Sequence, residues 1–251
     1  MDPYFIRFED LYKGFGENKV LQGVNLEVLR GETMVILGGS GSGKSVLLRH
    51  AIGLMVPDRG RVVVDGMDIS GLSEEELMPV RKKVGMLFQG SALFDSMNVF
   101  ENVAYALREH TSLEEGEIAS RVREKLALVE LNEDVEVRMP ADLSGGMRKR
   151  VALARAIALE PAGILYDEPT TGLDPITART INTMIRNLQH TLSVTSVVVT
   201  HDIASAFMVG DRIAFLHLGQ MVFVGTVKEA RQSPDPRLKA FLADAHGGGD
   251  V

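Results

Sequence analysis

The stretch Gly38-Gly39-Ser40-Gly41-Ser42-Gly43-Lys44-Ser45 constrains this chain more than any other. It fits the pattern G-x-x-x-x-G-K-[ST], in which glycines let the backbone curl until successive N–H groups point inward at phosphates. Lys44 is placed to reach the outer phosphates of a nucleoside triphosphate, and the Ser45 hydroxyl to sit on Mg²⁺. The flanks agree with that reading. Met34 to Leu37 reads as a buried strand, and Val46-Leu47-Leu48 opens a helix whose N-terminus adds partial positive charge to the anion site. A bland glycine-rich turn requires neither the lysine and serine in register nor the strand and helix around them. Alone, the loop implies nucleoside triphosphate binding on an α/β core and nothing further.

At 251 residues the chain can bury a full core as one domain. Its 45% hydrophobic and 24% charged content is that of an ordinary globular protein. No apolar run approaches the roughly 20 residues that cross a bilayer. The start, Met1-Asp2-Pro3-Tyr4-Phe5-Ile6-Arg7, lacks the basic region and apolar core of a secretory signal. The absence of cysteine excludes disulfides and thiolate metal sites and is compatible with a cytoplasmic location. A net charge of −7 and a pI near 5.4 argue against a nucleic-acid partner. The local basic run Arg148-Lys149-Arg150 reads as a solvated helix face.

Short apolar runs alternate with turns through the first third: Ile6 to Phe8, Val24 to Val28, Met34 to Leu37 and Arg61 to Val64. Ser73 and Glu76 form a capping box ahead of a short helix whose Pro79 departs from a clean helical pattern. Val84 to Phe88 reads as a strand ending at Gln89, and a mainly helical stretch follows from about Val99 to Leu159. Strands return at Ile164 to Asp167 and Ser196 to Thr200. Between them Ile181, Met184, Ile185, Leu188 and Leu192 fall on one helical face, a core stripe without chemistry of its own. Arg212 to Leu216 and Met221 to Val224 read as a hairpin. There is no internal repeat and no interdomain linker.

Ile164-Leu165-Tyr166-Asp167-Glu168 is an apolar strand ending in two carboxylates. Beside a phosphate loop, Asp167 is suited to hold Mg²⁺, and Glu168, one residue on, to polarise an attacking water. A solvated turn is the alternative for an isolated Asp-Glu pair. Leu143-Ser144-Gly145-Gly146-Met147 is the second motif: Ser144 is a good N-cap, and paired glycines leave the helix N–H groups open.

Taken together, the chain resembles the ATP-binding cassette (ABC) ATPases along nearly its whole length. Gly38 to Ser45 match the family's Walker A motif, Gln89 its Q-loop, Ser144-Gly145-Gly146 its signature, Ile164 to Glu168 its Walker B and Thr171-Gly172-Leu173-Asp174 its D-loop. Phe15 stands where the family has an aromatic that stacks on adenine, and His201 is its switch histidine. The resemblance implies a P-loop NTPase core at about 1–90 and 160–245, with an antiparallel β subdomain and an inserted helical subdomain at about 91–159; the glycine-rich residues 246–251 read as a disordered tail. It implies ATP and Mg²⁺ as cofactors, with Ser45, Gln89 and Asp167 near the metal and Glu168, His201 and Gln89 serving hydrolysis. It further implies a nucleotide-sandwich dimer in which the signature, Ser144-Gly145-Gly146, serves the partner's nucleotide, with Asp174 of the D-loop among the nucleotide-binding residues. Two departures stand out. Gly39 takes a position often occupied by proline, and Met147 replaces the common signature glutamine, losing a polar contact of about 0.5–1.5 kcal/mol.

The run Ser91 to Thr111, the methionine-bearing signature and Ser233-Pro234-Asp235-Pro236-Arg237 are similar to the Mla-type subfamily. That similarity implies phospholipid trafficking between bacterial membranes from the cytoplasmic face of the inner membrane. The implied partners are a separate MlaE-type permease and, through it, an MCE-domain lipid-binding protein. Two other readings stay open: the ATPase of a small-solute importer, for example for polar amino acids, and a non-transport mechanical clamp.

Overall fold

A computed structural model describes residues 2–244; the tail expected at 246–251 lies outside the described residues. Contacts divide the chain into two compact units, one running to Arg81 and resuming at Thr195, the other spanning Lys82–Val194. The helical insert expected at 91–159 lies inside the second unit, which extends past it at both ends.

In the first unit, β1 (Tyr4–Phe15) and β2 (Asn18–Leu29) form a long antiparallel hairpin, continued through β4 (Arg59–Val64) and β5 (Met67–Asp68) in the order β2-β1-β4-β5. The apolar run Ile6 to Phe8 marks only part of the first half of β1. Irregularities in pairing between Phe8 and Leu11 break the inward–outward alternation, so the strand outruns its periodic signature. Asp10 takes φ 48 there, and Gly60 faces it; a Cβ at Gly60 would come 2.2 Å from the Asp10 carbonyl oxygen.

β3 (Thr33–Leu37) pairs in parallel with β8 (Thr195–Thr200) on one side and β9 (Arg212–His217) on the other; β10 (Gln220–Thr226) runs antiparallel to β9. Every residue of β3 and β8 is buried, which is why both read as unbroken β-prone runs, as strands covered on both faces do. The phosphate-loop helix α1 (Lys44–His50) and α2 (Glu74–Lys83), which continues through Pro79, come before β8 in sequence. After it come α7 (Ile203–Val209), α8 (Val227–Arg231) and α9 (Pro236–Asp244), the last setting Phe241 against Phe215 with ring centres 5.1 Å apart.

In the second unit, β6 (Val84–Leu87) and β7 (Gly163–Asp167) are parallel, Leu87 opposite Tyr166. Around them lie α3 (Val99–His110), α4 (Glu115–Leu128), α5 (Gly145–Ala156) and α6 (Pro175–Leu192). α5 crosses β6 closely: a Cβ at Gly85 would fall 2.2 Å from the Ala156 carbonyl oxygen. The α6 stripe packs as expected, with Ile181, Met184, Ile185 and Leu188 at most 2% exposed and Leu192 half-buried.

Candidate nucleotide-site residues

The phosphate loop leaves β3 at Leu37 and enters α1 at Lys44. Gly43 caps α1 in a left-handed conformation (φ 102) that a side chain would strain. Gly38 is required for another reason: its Cβ would meet the Leu216 carbonyl oxygen at 2.4 Å. Lys44 is 5% exposed, and its Nζ donates to the carbonyls of Gly38 (2.8 Å) and Gly39 (2.9 Å), arching back over the loop. The Ser42 hydroxyl is buried without a protein hydrogen-bond partner. A buried cation and an unpaired hydroxyl within a glycine cradle fit a polyanion.

Register brings His201 to this loop. Leu37 and Thr200 are partners in adjacent parallel strands, so the chain steps into Gly38 on one and His201 on the next at the same edge. This carboxyl edge is where open α/β sheets bind ligands. His201 is exposed, and the following Asp202 caps α7 by accepting from the Ala204 N–H at 3.0 Å. Phe15 ends β1 opposite Asn18, 49% exposed, with the Lys13 ammonium 5.7 Å from its ring centre. The same hairpin reaches the loop, for the Val20 carbonyl oxygen lies 3.0 Å from where a Gly43 Cβ would stand. Asp58 holds the hairpin end, accepting from Lys13 Nζ (2.8 Å) and the Gly14 N–H (2.7 Å). Those bonds, the lysine's first, hold its carboxyl below the usual range.

The second unit carries the carboxylates and the signature. β7 delivers Asp167, 3% exposed, and Glu168, 8% exposed. Glu168 adopts φ 47, which costs a residue with a side chain about 1–3 kcal/mol. The Thr171 hydroxyl donates to Glu168 Oε2 at 3.2 Å, fixing the carboxylate's orientation. Ser144 caps α5 as expected, its Oγ accepting from the Met147 N–H at 3.2 Å, and remains exposed. Gly146 is packed against α6, where a Cβ would come 2.6 Å from Thr177 Cγ2. Asp174 caps α6, Oδ1 accepting from the N–H groups of Ile176 and Thr177 at 3.0 Å each.

One sequence expectation is corrected here. Within Arg148-Lys149-Arg150, Arg148 is exposed and Arg150 half-buried, but Lys149 does not face solvent: it is 5% exposed and its ammonium donates to the Gln89 carbonyl. Burial pulls the Lys149 pKa down, and the negative charges of Asp167 and Glu168 push back up. Arg148 instead caps the Leu143 carbonyl at 2.5 Å. The missed signal was spacing, since Gly146, Lys149 and Leu153 recur along the buried side of α5. A lysine among such positions calls for acceptors.

Gln89 itself is exposed, just past β6. The segment after it is shaped from within. Asn102, fully buried, donates through Nδ2 to the carbonyls of Phe94 (3.1 Å), Met97 (2.9 Å) and Asn98 (3.0 Å) and accepts from the Phe94 N–H (2.8 Å). Asn102→Ala is expected to cost about 1–3 kcal/mol, because it strands buried backbone groups. Denaturant unfolding of the purified variant measures it, and an unchanged midpoint would refute the role.

A strand–glycine loop–helix unit, a strand ending in two carboxylates and a serine-capped helix opening on paired glycines define an ATP-binding cassette. The chain belongs to the ABC transporter family, whose sequence profile matches residues 21–171, and it carries that family's ATPase domain. Two relatives are intermembrane phospholipid transport ATP-binding proteins named MlaF. The one from Escherichia coli K12 is 44% identical over 90% of this chain and 84% of its own length. The one from Haemophilus influenzae is 41% identical over 96% and 91%. A probable ribonucleotide transport ATP-binding protein, mkl, of Mycobacterium bovis is 43% identical over 94% of this chain, which spans 66% of that relative's length. The fold matches a dimeric ATP-binding cassette solved with ADP and Pi, with TM-score 0.82 and 35% identity over 88% of this chain and 98% of that one. It also matches cbiO1 of Clostridium perfringens, with TM-score 0.84 and 30% identity over 98% of both chains. The α/β cassette expected from the sequence is the fold observed.

Proposed function

We propose that this chain is the ATP-hydrolysing subunit of an ABC transporter that moves phospholipid between bacterial membranes. The observation that carries the reading is identity of 41–44% to two phospholipid-transport cassettes along most of their own lengths. An importer of polar amino acids, the competing expectation, is not favoured by those relatives.

In this reading Phe15 stacks on adenine, and Gly38 to Lys44 wrap the phosphates with backbone N–H groups and one ammonium. Glu168, aimed by Thr171, accepts a proton from the attacking water, and His201 donates a hydrogen bond to the terminal phosphate. Among the described residues no three His, Asp or Glu side chains gather as a metal cage. Mg²⁺ binds through one or two carboxylates plus substrate phosphates. Ser45, Gln89 and Asp167 would hold it, and the ion supplies neutralisation of phosphate charge. Two copies work as a pair, each presenting the signature Ser144, Gly145 and Gly146 to the other's nucleotide.

Among the described residues no helix is long and apolar enough to cross a membrane. In this reading, which rests on the phospholipid-transport relatives, the chain works on the cytoplasmic face of the inner membrane with a separate permease of MlaE type and an MCE-domain protein beyond it. Its docking surface begins after Gln89. Phe94 is 42% exposed and Tyr105 41%, their ring centres 5.1 Å apart, with Met97 and Phe100 half-buried alongside. Such a mix offers apolar anchors to a helix at about 25 cal/mol per Å² buried. Phe94→Glu and Met97→Lys are expected to lower permease co-purification and lipid transfer in reconstituted vesicles about tenfold or more, with ATP binding intact. Normal permease capture and lipid transfer by both variants would rule this surface out as the coupling site.

A further inference from the structure

The turn that joins Gln89 to the Phe94 surface is held from outside itself. Ser91 (φ 65) and Ala92 (φ 49) are consecutive side-chain-bearing residues in the left-handed region, where an unconstrained chain rarely stays. Their own turn supplies one bond, from the Ser91 N–H to the Phe88 carbonyl at 2.9 Å. The remainder comes from α5. Arg155 Nη1 donates to the Ala92 carbonyl at 2.7 Å and Nη2 to the Ser91 carbonyl at 3.0 Å. The same guanidinium lies 5.6 Å from the Phe94 ring centre. Burial works against its charge, so these carbonyls and the ring face are what make the position tenable. Six residues earlier on the same helix, Lys149 takes the Gln89 carbonyl.

We propose that Arg155 is a positioning residue: from the signature helix it bridges the Ser91 and Ala92 carbonyls and supports Phe94, making the Gln89-to-Phe94 segment move as one piece with α5. The proposal deepens the reading above, since its consequence for turnover rests on Gln89 acting at the nucleotide. Shape matters as much as charge. A planar fork spans two carbonyls at once, whereas an ammonium is a single point charge on a flexible stem. Arg155 touches neither nucleotide nor reacting water; it acts through the turn.

The test uses the purified full chain with Arg155→Lys and Arg155→Met, each checked for native thermal unfolding. Backbone amide exchange across Ser91–Phe94 is expected to accelerate about tenfold or more in Arg155→Met and less in Arg155→Lys, with exchange in α1 unchanged. ATP hydrolysis should fall about 10- to 100-fold in kcat with affinity for ATP held within about twofold, the signature of misplacement rather than lost binding. Unaltered exchange in that segment in Arg155→Met would overturn the proposal. Accelerated exchange with unaltered kcat would support the hold on the turn and remove Gln89 from the chemistry, so the two ideas fail separately. If Arg155→Met does not fold, the exchange pattern of Arg155→Lys decides alone, and native protection there would overturn the bridge.

Discussion

Glu168→Gln protein is expected to bind ATP normally while its turnover falls about 10²–10⁴-fold, the scale of a lost general base. The replacement is isosteric and keeps an oxygen for the Thr171 hydroxyl, which donates at 3.2 Å, so the turn after β7 should survive. What disappears is a group able to take a proton from water. Lys44→Ala provides the contrast. It removes the ammonium arched over Gly38 and Gly39 and should weaken nucleotide binding itself. Phosphate release and equilibrium binding of a fluorescent ATP analogue separate the two outcomes. Near-native hydrolysis by Glu168→Gln would exclude that carboxylate as the base.

The second large effect concerns pairing of copies. Ser144 is exposed at the start of α5, and arginine there puts bulk and a fixed charge where the partner's nucleotide would lie. Ser144→Arg should bind ATP as a monomer and hydrolyse it poorly, because the substitution leaves every residue of its own phosphate loop in place. Losing the cap costs about 1 kcal/mol, too little to unfold the helix or abolish a dimer by itself. Light scattering with ATP should find a dimer in Glu168→Gln and none in the double variant. A stable ATP-bound dimer of the double variant would contradict a signature acting across copies.

Legibility of these features followed the kind of interaction that builds them. The phosphate loop could be read because its geometry is made of backbone, and backbone geometry is written as glycines: Gly38 for close approach, Gly43 for positive φ. The buried runs in β3, β7 and β8 were legible because strands covered on both faces carry an unbroken apolar stretch: Met34 to Leu37, Ile164 to Tyr166 and Val197 to Val199. Lys149 was hidden because its acceptor, the Gln89 carbonyl, lies 60 residues away, so local charge read as solvated surface. The Ser91-to-Met97 turn was hidden as well. It has no period, and its organisers are side chains outside it: Asn102 on the helix that follows and Arg155 on a helix about 60 residues on. Even the capping box joining Asn98 and Glu101, which starts α3, went unread beside the apolar residues around it.

The packing of Gly146 has a consequence for genetics. Thr177 Cγ2 lies 2.6 Å from where any side chain at 146 would begin, so even alanine there must shift the Thr177 side chain or the capped first turn of α6 that carries it. A null allele at this codon is therefore ambiguous between a broken nucleotide contact and a dislodged helix. Ser144, solvent-facing with room around it, is the allele from which signature function can be inferred.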